Sequence, residues 1–200
     1  MIRHGRLVSK VCVSLWLLLS LSACGKDREG WASFPIPIYA DATVNSSADR
    51  ADFEDAMAFW ENKAGRKLFD FRGVWSASSA PYTGAIDNPD SIVANVVFFL
   101  DPWAFGSTVA GRTTIRSSSD GIESSMIMIN PDTPSCSGDC VGDPYRASRR
   151  KVFTHELGHF LGMGHVSDPA NIMNPDTTPG GSLRDQRIDA EALARLTRDS

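Results

Sequence analysis

The chain lacks most of the features that would send its reading elsewhere. Basic residues are outnumbered, 20 Lys and Arg against 24 Asp and Glu. No cationic field therefore invites nucleic acid. Four cysteines in 200 residues are too few for a disulfide-scaffolded miniprotein. Only one stretch is continuously apolar, so a polytopic membrane protein is excluded. There is no internal repeat, no charge block, no phosphate-cradling loop and no dinucleotide Gly fingerprint. Histidine is scarce as well, with four in the chain. What remains, 42% hydrophobic and 22% charged with five Trp and ten Phe, is the mixture of one globular domain and not of a solvated coil.

The apolar stretch is set aside first. Arg3, Arg6 and Lys10 form a positive flank, Val11 to Ala23 is mostly apolar, and Leu21-Ser22-Ala23-Cys24 closes it. The run is short for a bilayer span and right for an export signal. Its end resembles the lipobox of bacterial lipoproteins, which implies lipidation of Cys24. A secretory signal with a coincidental Cys and a short uncleaved anchor are the other readings. The expected organisation is a signal peptide over 1–23, a tether over 24–33 and one globular domain over 34–200. Loss of the three basic residues takes the formal charge from −4 to −7. The protein is then exported, held on the envelope (periplasmic or surface side) by its lipid, and expected to be a monomer.

Cys12 leaves with the signal and Cys24 carries lipid, which leaves Cys136 and Cys140. In an oxidising compartment these two pair across Ser-Gly-Asp. A metal reading of the pair needs further ligands that its neighbourhood does not supply.

Along the domain, Phe34 to Tyr39 predicts a Pro-edged strand. Ser46 to Asp49 is a capping-box pattern. Phe53, Ala56, Met57, Trp60 and Ala64 then follow at helical spacing, with Gly65 as the stop. Lys67 to Trp75 alternates like a strand. Ile92 to Leu100 is apolar on both faces and predicts a central strand. Thr108 to Ile115 and Ser125 to Ile129 are two more strands, Asn130 to Arg146 a long loop, about Ala147 to Leu161 a helix, and Asp185 to Thr197 a last helix.

The chemistry is concentrated in residues 155–165, His-Glu-Leu-Gly-His-Phe-Leu-Gly-Met-Gly-His. On a helix, His155 and His159 project from one face a turn apart, the spacing two nitrogens need to grip one Zn²⁺. Glu156 lies beside the first His, off that axis, where it can face a water without being a ligand. Gly162 suits a left-handed helix end, after which the chain can return His165. Three neutral nitrogens leave a fourth position open, the mark of a catalytic site. Chance assembly of five fixed positions in a chain of this composition is about four in a million. His4 aside, every histidine of the chain lies in this motif.

This sequence resembles the metzincin metallopeptidases, whose signature is HExxHxxGxxH. Asn171-Ile172-Met173-Asn174-Pro175 looks like their Met-turn, and its distance from His165 looks most like the matrixin branch. Val166 and Asn174 depart from the usual matrixin residues. The resemblance implies an α+β zincin fold: a twisted mixed sheet of four or five strands, an early helix, a zinc helix and a C-terminal helix, with the cleft between two parts. It implies one catalytic Zn²⁺ on His155, His159 and His165, Glu156 as general base, and Met173 as an apolar floor. The substrate is then a protein or peptide, laid along a sheet edge near Val109, Ala110 and Gly111, with Asn174 to Thr178 near the pocket beyond the scissile bond. Calcium in the loops of Asp87, Asp90, Asp120 and Asp132 is possible, solvated turn acids being the plainer reading. Two other functions stay open: a zinc-binding adhesion or scaffold lipoprotein without activity, and a zinc hydrolase acting on envelope peptides.

Overall fold

A computed structural model describes residues 30–75, 86, 88–140, 142–143, 145–176 and 182–197. The signal-like segment, Cys24, most of the tether, Asp87 and residues 177–181 lie outside the described residues. No described helix is long and apolar enough to cross a membrane.

The fold is α+β. Strands β1 (Ile36–Ala40), β2 (Phe69–Val74), β3 (Val96–Phe99), β4 (Gly111–Ser118) and β5 (Gly121–Ile129) form one mixed sheet in the order β2-β1-β3-β5-β4. β1 runs parallel to β2 and β3, β3 parallel to β5, and β4 antiparallel to β5. The strand expected at the centre is there, but shorter. Residues 92–95 are irregular, and Val93 is 71% exposed. Its four residues Val96–Phe99 are flanked on both sides by strands, and this is why they are apolar on both faces.

Helix α1 (Ser47–Ala64) starts where the sequence signals it. Ser46 Oγ accepts from the Asp49 amide at 3.0 Å, and Gly65 closes the helix at φ 66°. Phe53, Ala56, Met57 and Trp60 are buried against the sheet and against α2 (Arg149–Phe160). Glu61, at the far end of α1, accepts the amides of Leu68 and Phe69 and so seats the start of β2.

The sheet divides the apolar side chains into two cores. Ile127 and Ile129 point toward the helices with Ile36, Ile38, Phe53, Trp60, Phe153 and Leu157. Met126 and Met128 point the other way with Ile92, Val96, Phe98 and Leu100. That alternation is the period-2 geometry of β5.

Several expected boundaries move. β4 runs over Gly111–Ser118 instead of Thr108 to Ile115, and β5 starts at Gly121 instead of Ser125, because the two pair as a tight hairpin down to Ser118 and Gly121. The loop over 130–146 contains a strand, β6 (Ser135–Cys136), paired with β7 (Ala147–Ser148). Those two β7 residues precede α2, which begins at Arg149 because Ser148 is its cap. The last helix, α3 (Ala190–Thr197), begins five residues late because Asp189 Oδ1 accepts the Glu191 amide; Leu183–Asp185 is a separate 3₁₀ turn. Asp90 lies in a 3₁₀ turn, Asp120 in the β4–β5 hairpin and Asp132 in the loop after β5, separate parts of the chain.

Candidate metal centre

Helix α2 is placed by its flanks. Trp60 Nε1 donates to the Thr154 carbonyl at 2.8 Å, fixing α2 against α1 one residue before the first His of the motif. At the other end Gly162 takes φ 95°, with the amides of Gly162 and Met163 bonded to the carbonyls of His159 and Gly158. This is the left-handed stop expected of a glycine, and it turns the chain so that His165 comes back over the helix.

The three imidazoles meet at their Nε2 atoms. His155 to His165 and His155 to His159 measure 3.1 Å, and His159 to His165 measures 3.0 Å. Among the described residues, this is the group of three or more His, Cys, Asp or Glu side chains whose ligand atoms converge. The opposite nitrogens are held by backbone carbonyls. His155 Nδ1 donates to Ile172 at 2.7 Å and His159 Nδ1 to Met163 at 2.8 Å. A carbonyl can only accept, so both rings carry their proton on Nδ1 and turn a bare Nε2 lone pair to the common point. Lone pairs so close repel unless a cation lies among them. Tetrahedral zinc with bonds of about 2.05 Å separates its nitrogens by roughly 3.3 Å, close to what is found. The donor set therefore fits Zn²⁺.

Electrostatics points the same way. Burial, then the neighbouring His159, pushes the His155 pKa down to about 3, and burial lowers that of His165 as well. Neutral imidazoles are the form that binds a metal.

Glu156 turns toward the edge of the sheet. Its Oε2 accepts from Thr113 Oγ1 at 2.6 Å, and the same hydroxyl lies 3.1 Å from the Glu156 carbonyl. Burial drives its pKa up to about 7, against the opposing pull of the Thr113 hydrogen bond and the Arg112 charge. Gly111 is needed for this approach. A Cβ at that position would lie 2.8 Å from Glu156 Cγ and Oε1.

The turn that follows the histidines packs against helix α2. Met173 is buried, its amide bonded to Asn171 Oδ1 at 2.9 Å and its carbonyl to the Val166 amide at 3.1 Å. Gly158 lets it approach, since a Cβ there would collide with Met173 Sδ and lie 2.8 Å from Trp60. Asn174, at the departure from the usual pattern, is buried and accepts the Asp176 amide.

The structure thus brings His155, His159, His165, Glu156 and Met173 together. Of the residues expected on the substrate edge, Gly111 opens β4 where an added Cβ would collide with Glu156, whereas Val109 and Ala110 lie in the irregular segment before it. Cys136 and Cys140 are bonded to each other, in a ring that meets Asp52 of α1 and Ser148 at the start of α2. The contacts of Thr113 with Glu156, of Ile172 with His155 and of Met163 with His159 were not foreseen by sequence reasoning. Two of them act through carbonyls, which every residue has.

A metal-binding helix followed by a Met-bearing turn under a mixed sheet defines a metzincin-type zincin. The profile of the matrixins matches residues 40–196, and the chain belongs to the matrixin family, a family of zinc metallopeptidases. Compared with curated proteins one by one, it matches none.

Proposed function

We propose that this matrixin is a zinc-dependent endopeptidase carried to the cell envelope by a lipid on Cys24. The observation that supports it most is the convergence of three imidazole Nε2 atoms. The Nδ1 atoms of His155 and His159 lie on backbone carbonyls, which turns their Nε2 atoms to the common point, with Glu156 one residue from His155 and outside that set.

In this reading His155, His159 and His165 hold Zn²⁺, which supplies an acidified water and a Lewis acid for the carbonyl oxygen of the peptide bond. Glu156 accepts a proton from the attacking water and passes it to the leaving amine nitrogen. The water oxygen bonds to the carbonyl carbon, sending the C=O π pair to the carbonyl oxygen; as that pair returns, the C–N bond breaks and its electron pair leaves with the protonated amine. Thr113 aims the carboxylate, and Gly111 keeps the space beside it clear. The peptide adds to β4 as a further strand, because among the described residues β4 pairs on one side only, with β5.

Glu156→Ala tests the reading in a peptide-library assay. Cleavage should fall by on the order of 10³-fold while about one zinc per chain is kept. Unchanged cleavage would overturn the role of Glu156, and loss of zinc would make it a ligand. Cys24→Ser should release the protein from membranes without altering turnover; persistent membrane binding would favour an uncleaved anchor.

A further inference from the structure

The backbone parity of β4 fixes what an added strand would meet. The Asn130 amide donates to the Ala110 carbonyl at 2.9 Å, and the pairing continues with Arg112 opposite Met128 and Thr114 opposite Met126. In an antiparallel ladder the hydrogen-bonded pairs alternate. Residues 110, 112 and 114 thus spend their amides and carbonyls on β5, while Gly111 and Thr113 direct theirs to the open edge. Side chains alternate too. Gly111 and Thr113 face α2 and Glu156, whereas Arg112 lies on the opposite face, with Met126 and Met128.

Arg112 is exposed on that face. Its guanidinium rests on the ring of Phe105, 4.5 Å from the centroid. Phe105 is held edge-on by Trp103 at 5.0 Å, and Trp103 Nε1 donates to the Gly106 carbonyl at 3.2 Å. The other arginine of β4, Arg116, is paired with Glu123 at 3.1 Å. Arg112 has no carboxylate within ion-pair distance among the described residues. The stack therefore orients a planar cation whose N–H donors take no carboxylate from the described residues, one residue along the strand from Thr113, whose hydroxyl binds Glu156.

We propose that Arg112, propped on Phe105 and Trp103, is a specificity residue that selects an acidic side chain in the peptide. The inference rests on the peptidase reading above and on peptide addition to β4. A strand bonded to Gly111 and Thr113 places its intervening residue opposite Arg112 in the non-hydrogen-bonded register, where Cα atoms come within about 4.5 Å and side chains are closest. A carboxylate there meets the free guanidinium edge, which suits it in shape and charge. A lysine there meets a like charge.

The test is a set of peptides carrying Glu, Gln or Lys at each position around the scissile bond, cleaved by the zinc-loaded full chain and by its Arg112→Gln and Arg112→Glu variants. The readout is the Glu-to-Lys ratio of kcat/KM within each variant. Any change Arg112 imposes on Glu156 divides out of that ratio. The wild type should prefer Glu about fivefold at one position. Arg112→Gln should bring the ratio near one and Arg112→Glu should invert it, and raised salt should shrink the wild-type preference. A parallel readout is direct binding of the Glu and Lys peptides to the cleavage-deficient Glu156→Ala protein, which should show the same order. An acidic preference that survives Arg112→Glu, or none in the wild type, overturns the role of Arg112 and leaves the peptidase standing. Failure of the zinc-loaded wild type to cleave any peptide overturns the peptidase reading, and this inference with it.

Discussion

The two ends of helix α2 are built on opposite principles. Its first turn is held by charge. Arg149 pairs with Asp49 of α1, and Arg150 reaches Asp52 at 3.3 Å and Asp55 at 2.7 Å. Asp52, fully buried, also accepts the Gly138 amide at 2.9 Å, inside the Cys136–Cys140 ring. Ser148, the cap of α2, donates to the Gly138 carbonyl at 2.5 Å, and Asp139 of the same ring accepts the Leu183 amide. Five residues thus tie α1, α2 and the C-terminal part together. The second half of the helix carries two imidazoles that are pinned through Nδ1 and meet at Nε2. One end is saturated with partners and the other holds donor atoms in reserve, so the charge network supplies rigidity and the imidazoles supply binding capacity.

Damage at the two ends should therefore read out differently. The largest effect is expected at the open end. His159→Ala should lose zinc and reduce peptide cleavage to background, measured by metal analysis and turnover, since two nitrogens remain where three are needed. At the saturated end, Asp52→Ala strips the buried partner from Arg150 and Gly138. It should cost about 3 kcal/mol of stability in denaturant titration, with zinc still bound by the folded fraction. Arg150 is partly exposed and keeps Asp55, which holds the loss at the lower end of the range for a broken buried pair. Gly158→Ala lies between the two ends. Its methyl group drives into Met173 and Trp60, so it should cost roughly 2–3 kcal/mol and weaken zinc binding together. A stability loss with unchanged zinc affinity would show that the floor does not support the ligands. Smallest is the Cys136→Ser, Cys140→Ser double variant, at about 2 kcal/mol or less for so short a ring, with activity of the folded protein retained.

How much could be read from the sequence follows the same division. His155, Glu156 and His159 were legible because helical spacing alone aligns them. Gly162 and Gly65 were legible because a positive φ selects glycine. The early helix showed through its apolar period and the Ser46 cap. The partners of the site were not legible. Ile172 and Met163 act through carbonyls that leave no trace in side-chain identity, and Thr113 is brought to Glu156 across 43 residues by sheet pairing. Nothing local marks Asp52 on α1 as buried; its burial depends on a ring of residues 86 positions away. The last helix was drawn too long because Ile188 continues its apolar stripe, yet Ile188 reaches the core from the segment before Asp189. Local periodicity reports the apolar face of an element, and long-range hydrogen bonds decide where it begins.

The central claim is that His155, His159 and His165 hold one catalytic zinc. It is tested most directly by measuring zinc content and peptide cleavage of the purified protein before chelation, after it, and after zinc is returned. One zinc per chain, cleavage lost with the metal and restored by it, and neither metal nor cleavage in His159→Ala is the expected result. A protein that takes up no zinc, or that cleaves peptides equally well without it, would contradict the claim.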